Sequence, residues 1–311
     1  MNKKLKVSFV ILSALLIFLL LYKTFYTEGS NEDADVAKEV STETNDTSIG
    51  TMLGLTDNTA VSHFNETFHL ENGGSFKPTI DLYNKDIKNN KFRLLFILDY
   101  KSADVIYNSK TKSYIDLELK PNETKKLNIT VPDLPDGIHD FIIFSIRRPD
   151  DLLTKDKYFP PGHFNLFKRA TLVVGNSQST EKVNYTQVNT INNNADISPI
   201  LTKKPTGDIS KALTLIHKET LSEPLWLNFS NKKANKYSVL VFENNKKLAY
   251  KNFLEANEDG VVSLPLNLNS TNKQNIFAAV IENPYSIREN LNKSNNNIDW
   301  FINTANRVTS R

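Results

Sequence analysis

The 311 residues carry 38 lysines and arginines against 35 aspartates and glutamates, a formal charge of +3, with 39% apolar residues and no cysteine. The missing cysteines exclude thiol catalysis, disulfide staples and a thioether-linked lipid anchor. Ten glycines leave little room for a phosphate-cradling loop, and near-balanced charge offers no concentrated basic face for nucleic acid.

Residues 1–6 contain Lys3, Lys4 and Lys6, and the sixteen residues from Val7 to Tyr22 are almost wholly apolar. As a helix they span roughly 24 Å, slightly short of the ~30 Å hydrocarbon core. Phe25 and Tyr26 extend the span at the interface while Lys6 and Lys23 snorkel outward. A cleaved signal peptide is the competing expectation. It wants small residues ahead of the cut, where this chain has Tyr22, Lys23, Thr24, Phe25, Tyr26 and Thr27. The sequence therefore predicts a cytoplasmic basic tail over 1–6 and a transmembrane signal anchor over 7–26, with everything beyond it outside the membrane.

Residues 27–50 hold seven acids (Glu28, Glu32, Asp33, Asp35, Glu39, Glu43 and Asp46) and a single lysine, Lys38. So polar a segment buries too little surface to offset its ordering entropy, which predicts a disordered acidic tether. With four lysines in residues 1–23 and −6 in the tether, the remainder, 51–311, is about +5. An extracellular chain without cysteine, rich in Asn and Lys, points to a bacterial cell membrane as the location.

From residue 51 apolar residues follow a period of two. Ile115, Leu117 and Leu119 alternate with Asp116 and Glu118, and Leu127, Ile129 and Val131 alternate with Asn128 and Thr130. These are strands with one buried face. Runs 94–98 and 141–146 are apolar on both faces and suit central strands. Turn formers at Gly73-Gly74, Pro121-Asn122, Pro135-Asp136-Gly137 and Pro160-Pro161-Gly162 punctuate them. The spacing predicts an antiparallel β-sandwich over 51–175. Polar residues 176–207 read as a linker, although Val183, Tyr185 and Val188 suit an edge strand. A second β-sandwich follows over 208–311, with strands at 225–229, 237–242, 261–268 and 276–281 and a hairpin turn at Asp259-Gly260. Trp226, between Leu225 and Leu227, is expected in its core. Trp300, within 298–302, is expected on a closing strand. Both bodies present an apolar strand, a polar hairpin, an alternating strand and an all-apolar strand running into proline. Those prolines, Pro149 and Pro284, mark a faint internal repeat.

The stretch Leu119-Lys120-Pro121-Asn122-Glu123-Thr124, followed by Leu127 to Pro132 and Leu134-Pro135-Asp136-Gly137, resembles the middle strands of bacterial immunoglobulin-like domains. In those domains a proline-glycine-glutamate turn leads into an alternating strand; here Asn122 stands where glycine is commoner. The resemblance covers only the span from Leu119 to Gly137. It implies two tandem immunoglobulin-like antiparallel sandwiches in an all-β fold, a role in adhesion or scaffolding, and no transferable site.

Motifs of chemistry are sparse. No HExxH is present among the five histidines, His63, His69, His139, His163 and His217. On a strand, His63 and His69 would share one face and Glu66 would lie on the other, so no metal site is expected there. His139-Asp140 reads as the entry to a strand. Ser-x-x-Lys occurs at Ser109, Ser179, Ser230 and Ser270 without the companion boxes of penicillin-binding enzymes. Glu255-Ala256-Asn257-Glu258-Asp259-Gly260 resembles the start of a calcium loop, but Leu266 falls where a bidentate glutamate belongs. Neither catalytic residues nor a metal nor a cofactor is expected. The candidate binding surface is the loop 157–167, where Tyr158, Phe159, His163, Phe164 and Phe167 crowd into a proline- and glycine-marked segment. The competing reading packs these aromatics into one end of the sandwich.

The sequence thus predicts a non-enzymatic surface protein, held in the cytoplasmic membrane by residues 7–22, that engages an envelope protein or a wall polymer. Its rivals are an accessory subunit of a membrane complex and an envelope hydrolase with a site assembled from scattered loops.

Overall fold

A computed structural model describes residues 51–57, 67–71, 73–154, 157–176, 179–191, 196–216, 224–232, 235–268, 273–287 and 301–310. The expected anchor and acidic tether lie outside these residues, as do His63, Glu66, His217 and Trp300. Among the described residues no helix is long and apolar enough to cross a membrane.

The first sandwich is built from β1 (Thr51–Asp57), β2 (Thr67–Leu70), β3 (Pro78–Asn84), β4 (Asn90–Leu98), β5 (Lys101–Ser102), β6 (Val105–Tyr107), β7 (Lys110–Lys112), β8 (Tyr114–Leu119), β9 (Thr124–Thr130), β10 (Gly137–Arg147) and β11 (Asn165–Val174). Its outer sheet runs β1-β3-β9-β6-β7, and its inner sheet runs β2-β11-β10-β4-β5 with β8 also beside β4. Alternation places the residues as expected: along β8, Ile115 and Leu119 are buried in the core while Asp116 and Glu118 are exposed. β2 runs parallel to β11; β10 pairs antiparallel with both β11 and β4. This is the A-B-E-D and A′-G-F-C-C′ strand order of immunoglobulin-like sandwiches.

The second sandwich contains β12 (Thr186–Val188), β13 (Thr190–Ile191), β14 (Ile200–Thr202), β15 (Leu215–Ile216), β16 (Leu225–Asn231), β17 (Asn235–Glu243), β18 (Lys247–Ala256), β19 (Gly260–Leu266), β20 (Gln274–Glu282), β21 (Ile302–Thr304) and β22 (Val308–Ser310). Its sheets run β12-β18-β17-β20-β22-β15, with β21 beside β20, and β13-β19-β16-β14. The same order recurs: β14, β16 and β19 answer to A, B and E, while β15, β22, β20, β17 and β18 answer to A′, G, F, C and C′. Even the parallel A′–G pair is repeated, as β15 on β22. Asn244 and Asn245 both adopt positive φ (53° and 52°) in the three-residue connection between β17 and β18, a turn whose hand matches strand twist.

Residues 176–207, expected as a linker, are taken up in part by the second sandwich. β12 is an edge strand on β18, β13 pairs with β19, and β14 pairs with β16. The reason is burial: Ile200 and Leu201 lose all exposure there. Trp226 also departs from expectation. Flanking residues on a strand point to the opposite face, so Leu225 and Leu227 fill the core while Trp226 stands half-buried on the outside, opposite Thr202 and Pro265.

Three apolar layers result. Each sandwich has its own core. The third lies between the two inner sheets, where Leu95, Ile97, Ile142, Phe144 and Ile146 meet Leu240, Phe242, Phe277, Ala279 and Ile281. This layer explains why β10 is buried along its whole length and why its stretch 141–144 is apolar on both faces.

Candidate functional site

Two arginine–threonine pairs fasten the inner sheets to each other. Arg169 and Thr171 lie on β11, with Thr171 opposite Asp140 of β10. Arg307 and Thr309 lie at β22, with Thr309 opposite Asn275 of β20. Arg169 donates to the carbonyls of Glu282 (2.8 Å) and Asn283 (2.9 Å), the residues leading into Pro284. Arg307 donates to the carbonyls of Arg147 (2.9 Å) and Arg148 (2.8 Å), which lead into Pro149. The threonines and their partners continue the pattern: Thr171 donates to the Ser286 carbonyl (3.1 Å), and Asn275 donates to that of Asp151 (2.9 Å). Each sandwich therefore grips the corner after the other's F strand, as the two halves of an isologous dimer do.

The two clamps differ in charge. Asp140, fully buried, accepts from Arg169 Nε (3.1 Å) and Nη2 (2.8 Å), from the Tyr285 amide (2.7 Å) and from the Tyr100 hydroxyl. Burial raises the Tyr100 phenol well above its ordinary range. In the second clamp an amide, Asn275, stands where the first has a carboxylate. Arg307 Nε consequently has no partner, and its guanidinium lies 3.8 Å over the Phe164 ring. Burial pulls its pKa down to about 9, which leaves it a cation at neutral pH.

The five aromatic-loop residues divide at this clamp. Phe164 is buried beneath Arg307, and its carbonyl accepts from the Arg147 amide (2.7 Å). His163 stacks edge-on against Phe164 (4.6 Å), and its Nε2 accepts from Arg147 (3.1 Å). Phe159 is half-buried against both rings, at 4.9 and 5.4 Å. Tyr158 and Phe167 remain 36% exposed, with Leu152 nearby in sequence at 40%. The loop begins pinned as well: Asn245 and Asn275 donate to the Pro149 carbonyl, and the Leu153 amide donates to Thr309 Oγ1 (3.0 Å). The loop thus joins β10 and β11 with an inner half packed under the second sandwich, while Tyr158 in the loop and Phe167, the third residue of β11, face solvent. Phe164→Ser is expected to cost about 3–5 kcal/mol, whereas Tyr158→Ser and Phe167→Ser are expected to stay near about 0.5 kcal/mol. Urea midpoints of the three variants check the division.

His139 lies on β10, as its strand-entry reading requires. Its Nδ1 is 2.7 Å from Asp99 Oδ2 and its Nε2 is 2.8 Å from the Pro135 carbonyl. With an acceptor at each nitrogen the imidazolium is favoured; the Asp99 carboxylate raises its pKa first, burial opposes, and the Pro135 carbonyl adds to the rise. Because the folded pKa exceeds the unfolded one, this contribution is complete below the ordinary histidine range and is lost as pH rises through the raised value. Unfolding midpoints should fall across that window in the native chain, and His139→Asn should remove that part of the fall.

His69 is exposed on β2. Among the described residues no group of three or more His, Asp and Glu is placed to hold a metal ion. Around the calcium-loop-like stretch, Glu255 accepts from Gln187 (2.6 Å), and Asn257 donates to Gln187 (2.8 Å). Sequence reasoning missed Arg169, Thr171, Asn275, Arg307 and Thr309 as a set. The available signal was Arg-x-Thr at 169 and again at 307, an offset close to that between Pro149 and Pro284.

No family model matches the chain, and no curated protein matches it. Solved structures do. Red sea bream transglutaminase aligns over 91% of this chain and 34% of its own, at 10% identity and a TM-score of 0.25. The chain thus spans about a third of that enzyme's length. The class 5 fimbriae chaperone CfaA aligns over 82% of this chain and 99% of its own, at 10% identity and a TM-score of 0.25. The Salmonella enterica SafA pilin in complex with the SafB chaperone gives 75% and 90%, at 13% identity and a TM-score of 0.25. Values this low transfer no function. The β-sandwich assignment rests on the chain's own strand order.

Proposed function

We propose that this chain is a non-enzymatic bacterial surface protein, anchored through residues 7–22, whose paired sandwiches present the loop 157–167 to a partner protein of the envelope. The observation that carries this reading is the exposure of Tyr158 on the loop and of Phe167 at the start of β11, beside inner loop residues held by Arg147 and Arg307. A loop fixed beforehand loses little entropy on binding, and exposed aromatics are the side chains that contribute most per residue to interfaces. The buried ionic groups support the non-enzymatic part, since Asp140, Arg169 and the two Nη atoms of Arg307 bond across the join between the sandwiches. The lysine-flanked apolar run and the acidic segment after it support the anchored, outward-facing arrangement.

Pull-down from intact cells tests the reading, with the native chain compared against a Tyr158→Ser/Phe167→Ser variant that keeps its circular dichroism spectrum. A partner captured by the native chain and lost from the folded variant supports recognition through this loop. Equal capture by both chains would reject it.

A further inference from the structure

We propose that the end of the first sandwich at which residue 51 enters is a docking surface for an anionic lipid membrane; this rests on the anchored reading above. β1 begins with Thr51 opposite Asn84, the last residue of β3, so the chain arrives from residues 1–50 at the end that carries the turns 85–89 and 120–123. Asn84 is fully buried and holds those two turns side by side. Its Nδ2 donates to the carbonyls of Lys88 (2.9 Å), Leu119 (3.1 Å) and Lys120 (2.9 Å), and its Oδ1 accepts from Asn90 Nδ2 (3.0 Å). Its own amide donates to the Glu123 carbonyl (2.9 Å), and its carbonyl accepts from the Asn122 amide (2.8 Å).

This fixed end displays Lys85, Lys88 and Lys120 in solvent, with Lys125 just inside β9. Of the carboxylates beside them, Glu123 is half-buried and accepts the Lys120 amide (2.8 Å), and Glu118, two residues before Lys120, is exposed on β8. Asp86 in the same turn is buried and paired with Arg147 (3.0 Å). The two most exposed large apolar residues described are also here, Ile87 at 65% and Met52 at 61%. Lysines around projecting apolar side chains match the boundary between anionic headgroups and acyl chains. A wall polymer or a nucleic acid offers the charge but no apolar layer to receive Ile87 and Met52. An anchor over residues 7–22 would keep this end within reach of lipid.

The chain has no cysteine, so one introduced cysteine is a unique label site. Asn89→Cys, exposed between the lysines, carries a fluorophore; Asp136→Cys in the β9–β10 turn at the opposite end is the control. The full chain is reconstituted into vesicles that contain nitroxide-headgroup lipid, either phosphatidylglycerol-rich or of phosphatidylcholine alone. Docking predicts quenching at position 89 but not at 136 and only on the anionic vesicles. Each lysine near an anionic surface corresponds to about fivefold in occupancy, so Lys88→Gln/Lys120→Gln should lower the docked fraction about 25-fold. Quenching that is absent, or equal on both vesicles, would overturn the proposal. So would a reporter left unquenched until the acids of 28–46 are replaced by amides, because the chain's own acidic segment would then occupy this end. Resistance to alkaline extraction is measured separately. Its failure rejects the anchor, while docking is still read from quenching with vesicles added to the chain.

Discussion

Asp140→Ala should lower the unfolding free energy by roughly 3–5 kcal/mol, far more than its absence from any exposed surface would suggest. The substitution leaves the Arg169 guanidinium buried against backbone carbonyls without its carboxylate, and strips the Tyr285 amide and Tyr100 hydroxyl of their acceptor. Most of that loss comes from an uncompensated buried charge, which a second change can remove. Asp140→Leu with Arg169→Met should therefore recover much of the stability, because it deletes both desolvation terms together. A double-mutant cycle on urea midpoints measures the coupling. A single-variant loss below about 1 kcal/mol would show that the first clamp contributes little.

Phe144→Ala should cost about 3–5 kcal/mol and should be felt in both sandwiches. The ring is fully buried in the layer between them, 5.2 Å from Phe242 and 6.0 Å from Phe277, which themselves stack at 4.7 Å. Phe144 belongs to the first sandwich, yet two of its neighbours belong to the second. In a Trp300→Phe background, Trp226 reports on the second sandwich through fluorescence, while circular dichroism reports on both. The two transitions should coincide and shift together, as expected of one cooperative unit. A Trp226 transition left in place while dichroism shifts would show that the sandwiches unfold independently.

Both predictions depend on a layer that was only half visible beforehand. The runs 94–98 and 141–146 announced strands covered on both faces. They did not say what covers the second face, because an apolar run is the same whether its cover is local or in the other half of the chain. The clamps were harder still. Asp140, Asn275 and the two Arg-x-Thr pairs acquire meaning only when β10 lies against β11 and β20 against β22. Trp226 is the complementary case: neighbours along a strand point to opposite faces, so Leu225 and Leu227 in the core place it outside. In the aromatic loop, composition marked Tyr158, Phe159, His163, Phe164 and Phe167 alike. Arg307, remote from Phe164 in the chain, is what draws Phe164 inward and leaves Tyr158 and Phe167 outside.

What the sequence determined by itself was the local and the periodic. Period-two alternation set which residues of β8 and β9 face a core, asparagines and glycines marked turns, and repeated strand order with paired prolines announced two related bodies. Such features follow from backbone geometry and from transfer of apolar surface out of water, and both act over short stretches of chain. Tertiary structure alone decided that the inner sheets share a core, that part of the segment between them becomes sandwich edge, and which aromatics stay exposed. Those outcomes depend on side chains from opposite halves of the chain meeting at hydrogen-bond distance. Burial and charge pairing act through space, and only the folded chain settles which residues are close.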